Sequence, residues 1–483
     1  MKKILILLLF IFLNISCSDN ITELNDDKKG LTDANPEYLF TNAEKALVDQ
    51  MVGTSVNLNV YRLFSQHWTE TTYPDESQYD ITTRTIPDNH FRILYQDVLY
   101  DLKQAKINLS KTIPATADDL IIYNNKIALI EILTVYSYSV LVDTFGNVPY
   151  SEALDIEANP SPKYDDGLTI YKDLIKRLTV AVNSINTTKG SFEASDLIYS
   201  GKTTNWKKFA NSLKLRLAIN LYDVDATFSS AIVQEAVASG VISSNDENTN
   251  LVYLSLQPNA NPLYADLVVS ERNDFVPANT LVNKMNALTD PRRSKYFDFK
   301  TGTTTYVGGV YGASNSFSNF SHISSTLNKP SFAGTIFDYS EVEFLLAEAV
   351  AKTINVGGTV ASHYNAAITA SMEFWGVDST NISSYLSQPN VNYSTAVGNY
   401  KQKIGEQAWI ALYNRGFECW TSYRRLDFPV LTVPTQTYNN ITEVPKRYSY
   451  PAREQTLNAT NVSAASTAIG GNTLTNKIFW DKF

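Results

Sequence analysis

The sequence predicts a mostly α-helical protein in which a scaffold of helical pairs carries an irregular, loop-rich lobe. The first observation behind this prediction is that apolar residues recur every three or four positions over most of the chain after residue 35, as on one face of a helix. The second is that regions 243–337 and 427–478 lack this spacing and are rich in Asn, Ser, Thr and aromatic residues. Long ordered loops of this kind usually have a function.

The N-terminal residues 1–16, MKKILILLLFIFLNIS, are predicted to be a secretory signal peptide. Two lysines come before an apolar run that is too short to span a bilayer. Cys17 follows the small Ser16, as in a lipobox, although Asn14 stands where a lipobox prefers leucine. We therefore expect lipidation at Cys17 and a lipidated tether over residues 17–35. A free periplasmic protein with an incidental cysteine is the alternative. No later segment is expected to span a membrane.

Residues 36–483 are expected to form a single domain, with a loop-rich insert at about 243–337 and an irregular C-terminal part at about 427–483. Its first helix has Pro36 at the entrance, and its most apolar helix ends near Gly146. The predicted helices are 36–58, 89–110, 118–142, 168–185, 205–222, 228–239, 338–352, 359–375 and 399–426.

Three of these helices are each followed closely by a partner: 89–110 by 118–142, 168–185 by 205–222, and 338–352 by 359–375. Antiparallel pairs of this kind stack as tetratricopeptide-like units, because each pair buries an apolar face that its neighbour supplies. No fixed period of about 34 residues is visible. The sequence therefore predicts a tetratricopeptide-like scaffold and not a regular solenoid.

The composition argues against several classes of function. A net charge of −9 disfavours nucleic-acid binding, because phosphates are repelled. The chain has two cysteines and four scattered histidines without metal-ligand spacing, so neither a cofactor nor a metal site is predicted. Acidic loops such as Asp246–Glu247 leave a structural calcium open as an alternative to solvated turns. Tyrosines are numerous, 29 in all, and suit a surface that binds ligand, although most of them are expected to fill contacts between helices.

An ordered set of segments resembles the SusD/RagB family of outer-membrane lipoproteins, and within it the SusD-like group named for starch binding and outer-membrane association. The segments are GNVPYSEAL (146–154), WKKFANSLKLRLA (206–218), the stretch 261–297, FDYSEVEFLLAEAVAK (337–352), IGEQAWIALYNRGFECWTSYRRLDFPVL (404–431) and PKRYSYPAREQTLN (445–458).

The resemblance implies a tetratricopeptide-like scaffold with a ligand-binding lobe, held on the cell surface by its lipid. It also implies a SusC-like, TonB-dependent β-barrel transporter as partner, which the protein would cover as a lid. Ligands in the family are usually oligosaccharides and sometimes peptides.

Candidate binding residues lie in two polar segments that carry aromatic rings, 64–91 and 271–320. Sugar sites combine flat apolar rings with a few polar groups, and loops on a rigid scaffold often carry them. For Trp68 a place in the core is weighed equally, and some rings of the second segment must fill the core of the lobe. The predicted ligand-binding residues are Trp68, Tyr73, Tyr79, Arg272, Asp274, Phe275, Tyr306 and Tyr311.

We expect nutrient capture for a transporter, with no catalysis and no catalytic residues. A glycoside hydrolase or another secreted enzyme is the first alternative, and a structural lipoprotein or adhesin is the second. Hydrolysis of glycosides needs two facing carboxylates. Acidic residues number 49, so pairs such as Asp75 with Glu76 arise easily, but the sequence has no G-x-S-x-G, phosphate loop or H-E-x-x-H motif.

Overall fold

Helices dominate the structure, a computed structural model that describes residues 34–483. The predicted mostly α-helical, tetratricopeptide-like fold is confirmed. The signal peptide 1–16, the lipidation site Cys17 and all but the last two residues of the tether 17–35 lie outside the described residues.

The α-helices within the described residues are α1 (Pro36–Val52), α2 (Tyr61–Phe64), α3 (Ile86–Arg92), α4 (Tyr100–Ser110), α5 (Ala117–Phe145), α6 (Gly167–Ser184), α7 (Thr203–Leu221), α8 (Ala226–Ser239), α9 (Pro262–Tyr264), α10 (Asn279–Ala287), α11 (Arg293–Tyr296), α12 (Tyr339–Ala351), α13 (Val360–Phe374), α14 (Ser379–Leu386), α15 (Tyr400–Ala411), α16 (Gly416–Leu426), α17 (Ala452–Leu457) and α18 (Ala459–Ala468). A π-helical segment, Ile93–Leu99, joins α3 to α4, and a second, Ala265–Val269, follows α9.

The strands are short and form four antiparallel two-stranded ladders in the described part of the chain. They are β1 (Trp68–Glu70) with β5 (Phe275–Pro277), β2 (Val148–Pro149) with β3 (Tyr164–Asp165), β4 (Thr249–Leu251) with β8 (Gly334–Phe337), and β6 (Phe297–Asp298) with β7 (His322–Ile323).

The helices pack as the pairing predicts. α4 lies against α5, α5 against α6, α6 against α7, α7 against α8, and α12 against α13. Each contact buries an apolar face, and the buried side chains form one continuous core. α12, which lies within the segment 337–352, is buried along most of its length and also contacts α7 and α15.

Side-chain caps define where several helices begin. Thr116 and Asp119 form a capping box at the start of α5, and Asp338 accepts a hydrogen bond from the Glu341 amide at the start of α12. α5 ends at Gly146, whose φ of 86° is readily adopted only by a residue without a Cβ.

α5 is long and apolar enough to cross a membrane by composition, so the expectation that no segment after the N-terminus could do so is too strong. However, 83% of its apolar window is buried inside the protein. A core helix of a large protein has this character, because it is surrounded by apolar neighbours on all sides.

The predicted helix 399–426 is wrong in one respect, since it is two helices, α15 and α16. Asn414 takes a φ of 68°, which breaks the helix between them. Gly416 begins α16 against the α2 backbone, where an added Cβ would lie 2.6 Å from the Arg62 nitrogen. The turn therefore allows α16 to approach α2, the element that leads into the first candidate binding segment.

Candidate functional site

The β1–β5 ladder joins the two segments in which the sequence predicts binding residues. Trp68 pairs with Pro277 and Glu70 pairs with Phe275. Beyond the ladder, the Thr71 amide donates to the Asp274 carbonyl at 2.9 Å. Because the strands are antiparallel, the chain that leaves β1 and the chain that enters β5 lie at the same end of the ladder. This end is called the ladder face below, and it consists of residues 71–75 and 271–274.

Three of the predicted residues belong to the ladder face and are accessible to solvent. Tyr73 is 61% exposed, in a turn that contains no regular secondary structure. Arg272 forms an ion pair with Asp274, with 2.8 Å between Nε and Oδ2, and 61% of the Arg272 side chain is exposed. A large ring and an ion pair near one end of a short ladder offer both stacking and hydrogen bonds to a ligand.

Trp68 lies in the core, which is the alternative weighed for it above. Its side chain is fully buried, its indole Nε1 donates to Tyr413 Oη at 2.9 Å, and the Arg62 guanidinium lies 5.1 Å from its ring centroid. A ring without an exposed face cannot stack on a ligand in this conformation. Trp68 therefore anchors β1 to the helical scaffold.

Phe275, Tyr79 and Tyr311 are buried as well. The Phe275 ring packs 5.8 Å from that of Trp68, and the Tyr79 ring packs 5.8 Å from that of Phe64. Tyr311 Oη donates to the Leu63 carbonyl at 2.8 Å. These rings position the loops that carry the exposed groups, and they present no free face to a ligand.

Tyr306 lies outside the β1–β5 ladder. Its half-buried ring packs against Phe299 with 4.6 Å between centroids, and the Arg293 guanidinium lies 5.6 Å from its centre. Its carbonyl accepts a hydrogen bond from the Asn286 amide group. Tyr306 therefore belongs to a separate aromatic cluster.

The C-terminal irregular part contributes to the candidate site, and the sequence prediction missed this contribution. The Tyr438 amide donates to the Gln78 carbonyl at 2.7 Å, and Thr82 Oγ1 donates to Tyr438 Oη at 3.2 Å. Gly312 lies so close to Pro434 that an added Cβ would be 2.3 Å from the proline ring. The only signal in the sequence was the composition of region 427–478, which resembles that of the loop-rich insert.

An open groove of about 360 Å³ lies where this C-terminal part meets the segment 64–91. A volume of several hundred Å³ is typical of small-molecule sites. Its lining residues are uncharged and consist mainly of hydroxyl and amide side chains with tyrosines: Tyr79, Thr82, Tyr438, Asn439, Asn440, Ile441, Thr442, Ser449, Asn472, Thr473, Leu474 and Thr475. We call it the C-terminal groove.

A buried pair of carboxyl groups, Glu70 and Glu76, lies beneath the ladder face. Burial, together with the nearby Glu76, raises the pKa of Glu70 well above its usual value. Glu70 Oε2 accepts a hydrogen bond from the Ser77 amide at 2.8 Å, and Arg84 forms an ion pair with Glu76. Only 3% of Glu70 and 1% of Glu76 is exposed, so the pair fixes the loop from beneath and is inaccessible to a polymeric substrate.

The described residues contain no group of three or more His, Cys, Asp and Glu side chains arranged to hold a metal ion. Cys419 is buried as a free thiol, and burial raises its pKa far above the usual range. A buried, protonated thiol is a poor nucleophile.

Residues 28–451 match the family described as SusD-like, starch-binding associating with outer membrane. The chain belongs to this SusD-like family. A search of curated proteins found no match. Among solved structures, a chitin-binding protein is 25% identical with a TM-score of 0.79, covering 93% of this chain and 100% of that one.

Two further solved structures have the same fold. A SusD homologue from Bacteroides uniformis is 25% identical, with a TM-score of 0.77 and coverage of 92% of this chain and 100% of that one. A chitin-binding SusD homologue from Flavobacterium johnsoniae is 24% identical, with a TM-score of 0.77 and coverage of 92% and 98%. The match over residues 28–451 confirms the family that the segments indicated. SusD-like proteins are outer-membrane-associated, carbohydrate-binding proteins of nutrient uptake.

Proposed function

We propose that this SusD-like protein is a lipid-anchored, surface-exposed lipoprotein that captures an oligosaccharide and delivers it to a SusC-like, TonB-dependent β-barrel transporter. The observation that carries the proposal is the β1–β5 ladder, which places the exposed Tyr73 and the Arg272–Asp274 pair at one end of two joined loops. Family membership supports a SusC-like transporter as the partner, and the lipobox-like sequence before Cys17 supports that residue as the site of the lipid.

The relatives support a carbohydrate in preference to a peptide. Two solved structures that share this fold over more than nine tenths of the chain are described as chitin-binding. An oligosaccharide of N-acetylhexosamine units is therefore the first ligand to test. Sugar rings have apolar faces that stack on an exposed tyrosine, and their hydroxyls accept and donate hydrogen bonds to an arginine and a carboxylate.

We also propose that binding occurs without turnover. Glycoside hydrolysis requires two carboxyl groups that reach the scissile bond from opposite sides. At the ladder face Asp274 pairs with Arg272, Asp75 and Glu271 are exposed, and the Glu70–Glu76 pair is buried. The family and a solved relative are described as starch-binding and chitin-binding, which supports capture of a glycan without cleavage.

The test uses the mature, detergent-solubilised protein with chitohexaose, maltohexaose and a mixed peptide library. The double variant Tyr73→Ala, Arg272→Ala is expected to weaken binding of the best oligosaccharide by about tenfold or more, because tyrosine and arginine are the residue types enriched among the few contacts that cost over about 1 kcal/mol when truncated. Tyr38→Ala is the matched control, since Tyr38 is 73% exposed on α1, outside the two loop segments.

Saturable binding without release of shorter sugars, together with co-purification of a large β-barrel protein, would support the proposal. Turnover of the oligosaccharide would favour the enzyme. Binding of peptides but of no glycan would overturn the carbohydrate assignment. Equal affinity of the double variant and the control for a bound glycan would remove the ladder face as the binding site.

A further inference from the structure

The C-terminal groove has the chemistry of a binding site for uncharged sugars. None of its lining residues carries a formal charge, although the chain as a whole has a net charge of −9. A ring, several amides and several hydroxyls are the groups that recognise the hydroxyl and acetamido substituents of a neutral glycan. Nothing in the groove neutralises a carboxylate, sulfate or phosphate.

Several polar side chains in the groove are free to bind a ligand. Asn439, Asn440, Thr442 and Ser449 make no side-chain hydrogen bond to any described residue, whereas the lining residues Asn472 and Thr473 are engaged in bonds within the protein. Three of the four free groups are exposed. A surface turn with uncommitted amides can exchange its hydration water for sugar hydroxyls without breaking an internal contact.

The backbone fixes these groups in place. Asn439 and Asn440 have φ values of 50° and 55°, in the left-handed region that asparagine tolerates better than most residues. The turn is tied to the segment 64–91 through the Tyr438 amide and the Tyr438 hydroxyl, which accepts from Thr82. The Tyr438 ring is 36% exposed, so part of its surface remains available for stacking.

Charges next to the groove select further against anionic ligands. Asp80 accepts hydrogen bonds from Thr82 and Thr83, and the exposed Glu443 follows Thr442 directly. Carboxylates near an uncharged groove repel uronates and sulfated sugars. A cation next to the lining, Arg447, donates to Asn472 Oδ1 at 3.1 Å, but it is fully buried and is not itself a lining residue.

We propose that the C-terminal groove binds an uncharged segment of the glycan that the ladder face captures, and that it excludes glycans with acidic substituents. This inference rests on the proposed function, since it assigns the ligand class and a second contact region to the same protein. The segment 71–82 forms part of both regions, so one extended oligosaccharide would contact the ladder face and the groove.

The experiment measures the affinity of the mature, detergent-solubilised protein for chitohexaose, maltohexaose, xylohexaose and an oligogalacturonate of equal length. We expect at least one neutral hexasaccharide to bind at least tenfold more tightly than the oligogalacturonate. Tyr438→Ala should weaken that binding by about tenfold, because it removes the stacking ring. Tyr438→Phe keeps the ring and should change the affinity less than threefold.

Each result decides one of the two proposals. If Tyr438→Ala binds like the unmodified protein while the Tyr73→Ala, Arg272→Ala variant is weakened, the groove assignment is wrong and the capture function stands. If the oligogalacturonate binds as tightly as every neutral glycan, the exclusion of acidic sugars is wrong. Absence of binding to all four oligosaccharides would overturn the capture function as well. A circular-dichroism melt of each variant verifies that it is folded.

Discussion

Replacing Glu341 with glutamine is expected to destabilise the protein strongly, because Glu341 is the centre of a buried ion-pair cluster. Its Oε1 lies 2.6 Å from Arg216 Nε, and its Oε2 pairs with Arg415 Nη2. Arg415 also pairs with Asp338 at 2.9 Å. The two arginine side chains are only 3% and 5% exposed, so water cannot replace the lost carboxylate.

The expected loss follows from what the variant leaves behind. Glutamine has nearly the same shape but no charge, and its amide donor faces arginine donors. Removing one partner from a buried ion pair typically costs about 3–5 kcal/mol, because the remaining charge is buried without compensation. Here Arg415 keeps its pair with Asp338, so the main loss falls on Arg216, whose remaining carboxylate neighbour, Glu418, lies 3.8 Å away. For a folded unit of about 450 residues the entropy of unfolding is roughly 1 kcal/mol per degree, which corresponds to a decrease in Tm of about 3–5 °C.

The pKa of Glu341 supports its place at the centre of the ion-pair cluster. Burial alone would raise the pKa of Glu341, but the guanidinium groups of Arg216 and Arg415 outweigh it and hold the pKa below its usual value. A folded-state pKa below the unfolded value means that this stabilisation is present at neutral pH and is lost as the pH falls through the folded-state pKa.

Urea unfolding followed by tryptophan fluorescence, together with calorimetry, measures both quantities at pH 7. Glu373→Gln is the matched control, because Glu373 is exposed near the end of α13, and it should change the free energy of unfolding by less than about 0.5 kcal/mol. If the Glu341 and Glu373 variants unfold at the same urea concentration, the buried cluster does not hold α7, α12 and α16 together as described.

Two further predictions concern other parts of the chain. Burial raises the pKa of Glu44 well above its usual value, and the neighbouring Asp196 raises it further. The protonated Glu44 therefore contributes its full stabilisation at acidic pH, and this stabilisation is lost as the pH rises through the folded-state pKa. Glu44→Gln should therefore be more stable relative to the unmodified protein at pH 8 than at pH 5, and urea unfolding that shows the same difference at both values would contradict this. Cys17→Ser should abolish incorporation of radiolabelled palmitate and move the protein out of the outer-membrane fraction. Cys419→Ser is the control and should keep the label. A Cys17→Ser protein that still carries the label would refute the lipid anchor.

Part of the candidate site could be predicted from the sequence. The two segments 64–91 and 271–320 stand out by their aromatic residues in polar surroundings, and the structure joins them through the β1–β5 ladder. Periodicity could not tell which rings in these segments face outwards. Trp68 and Tyr73 are five residues apart in similar surroundings, yet the first is fully buried and the second is 61% exposed. The difference arises because Tyr413, which is 345 residues away in the chain, and Phe275 cover Trp68.

The sequence by itself determined the helical class, the pairing of neighbouring helices and the family, because each of these depends on residues that are close together in the chain or on a specific order of motifs. The secretory N-terminus stays a prediction. The tertiary structure alone decided how the candidate site is built. The contacts of Tyr438 with Gln78 and Thr82, and the uncharged groove beside them, join parts of the chain separated by more than 350 residues. Burial and exposure at such a site are set by whichever distant segments cover it, and no local pattern of residues encodes that.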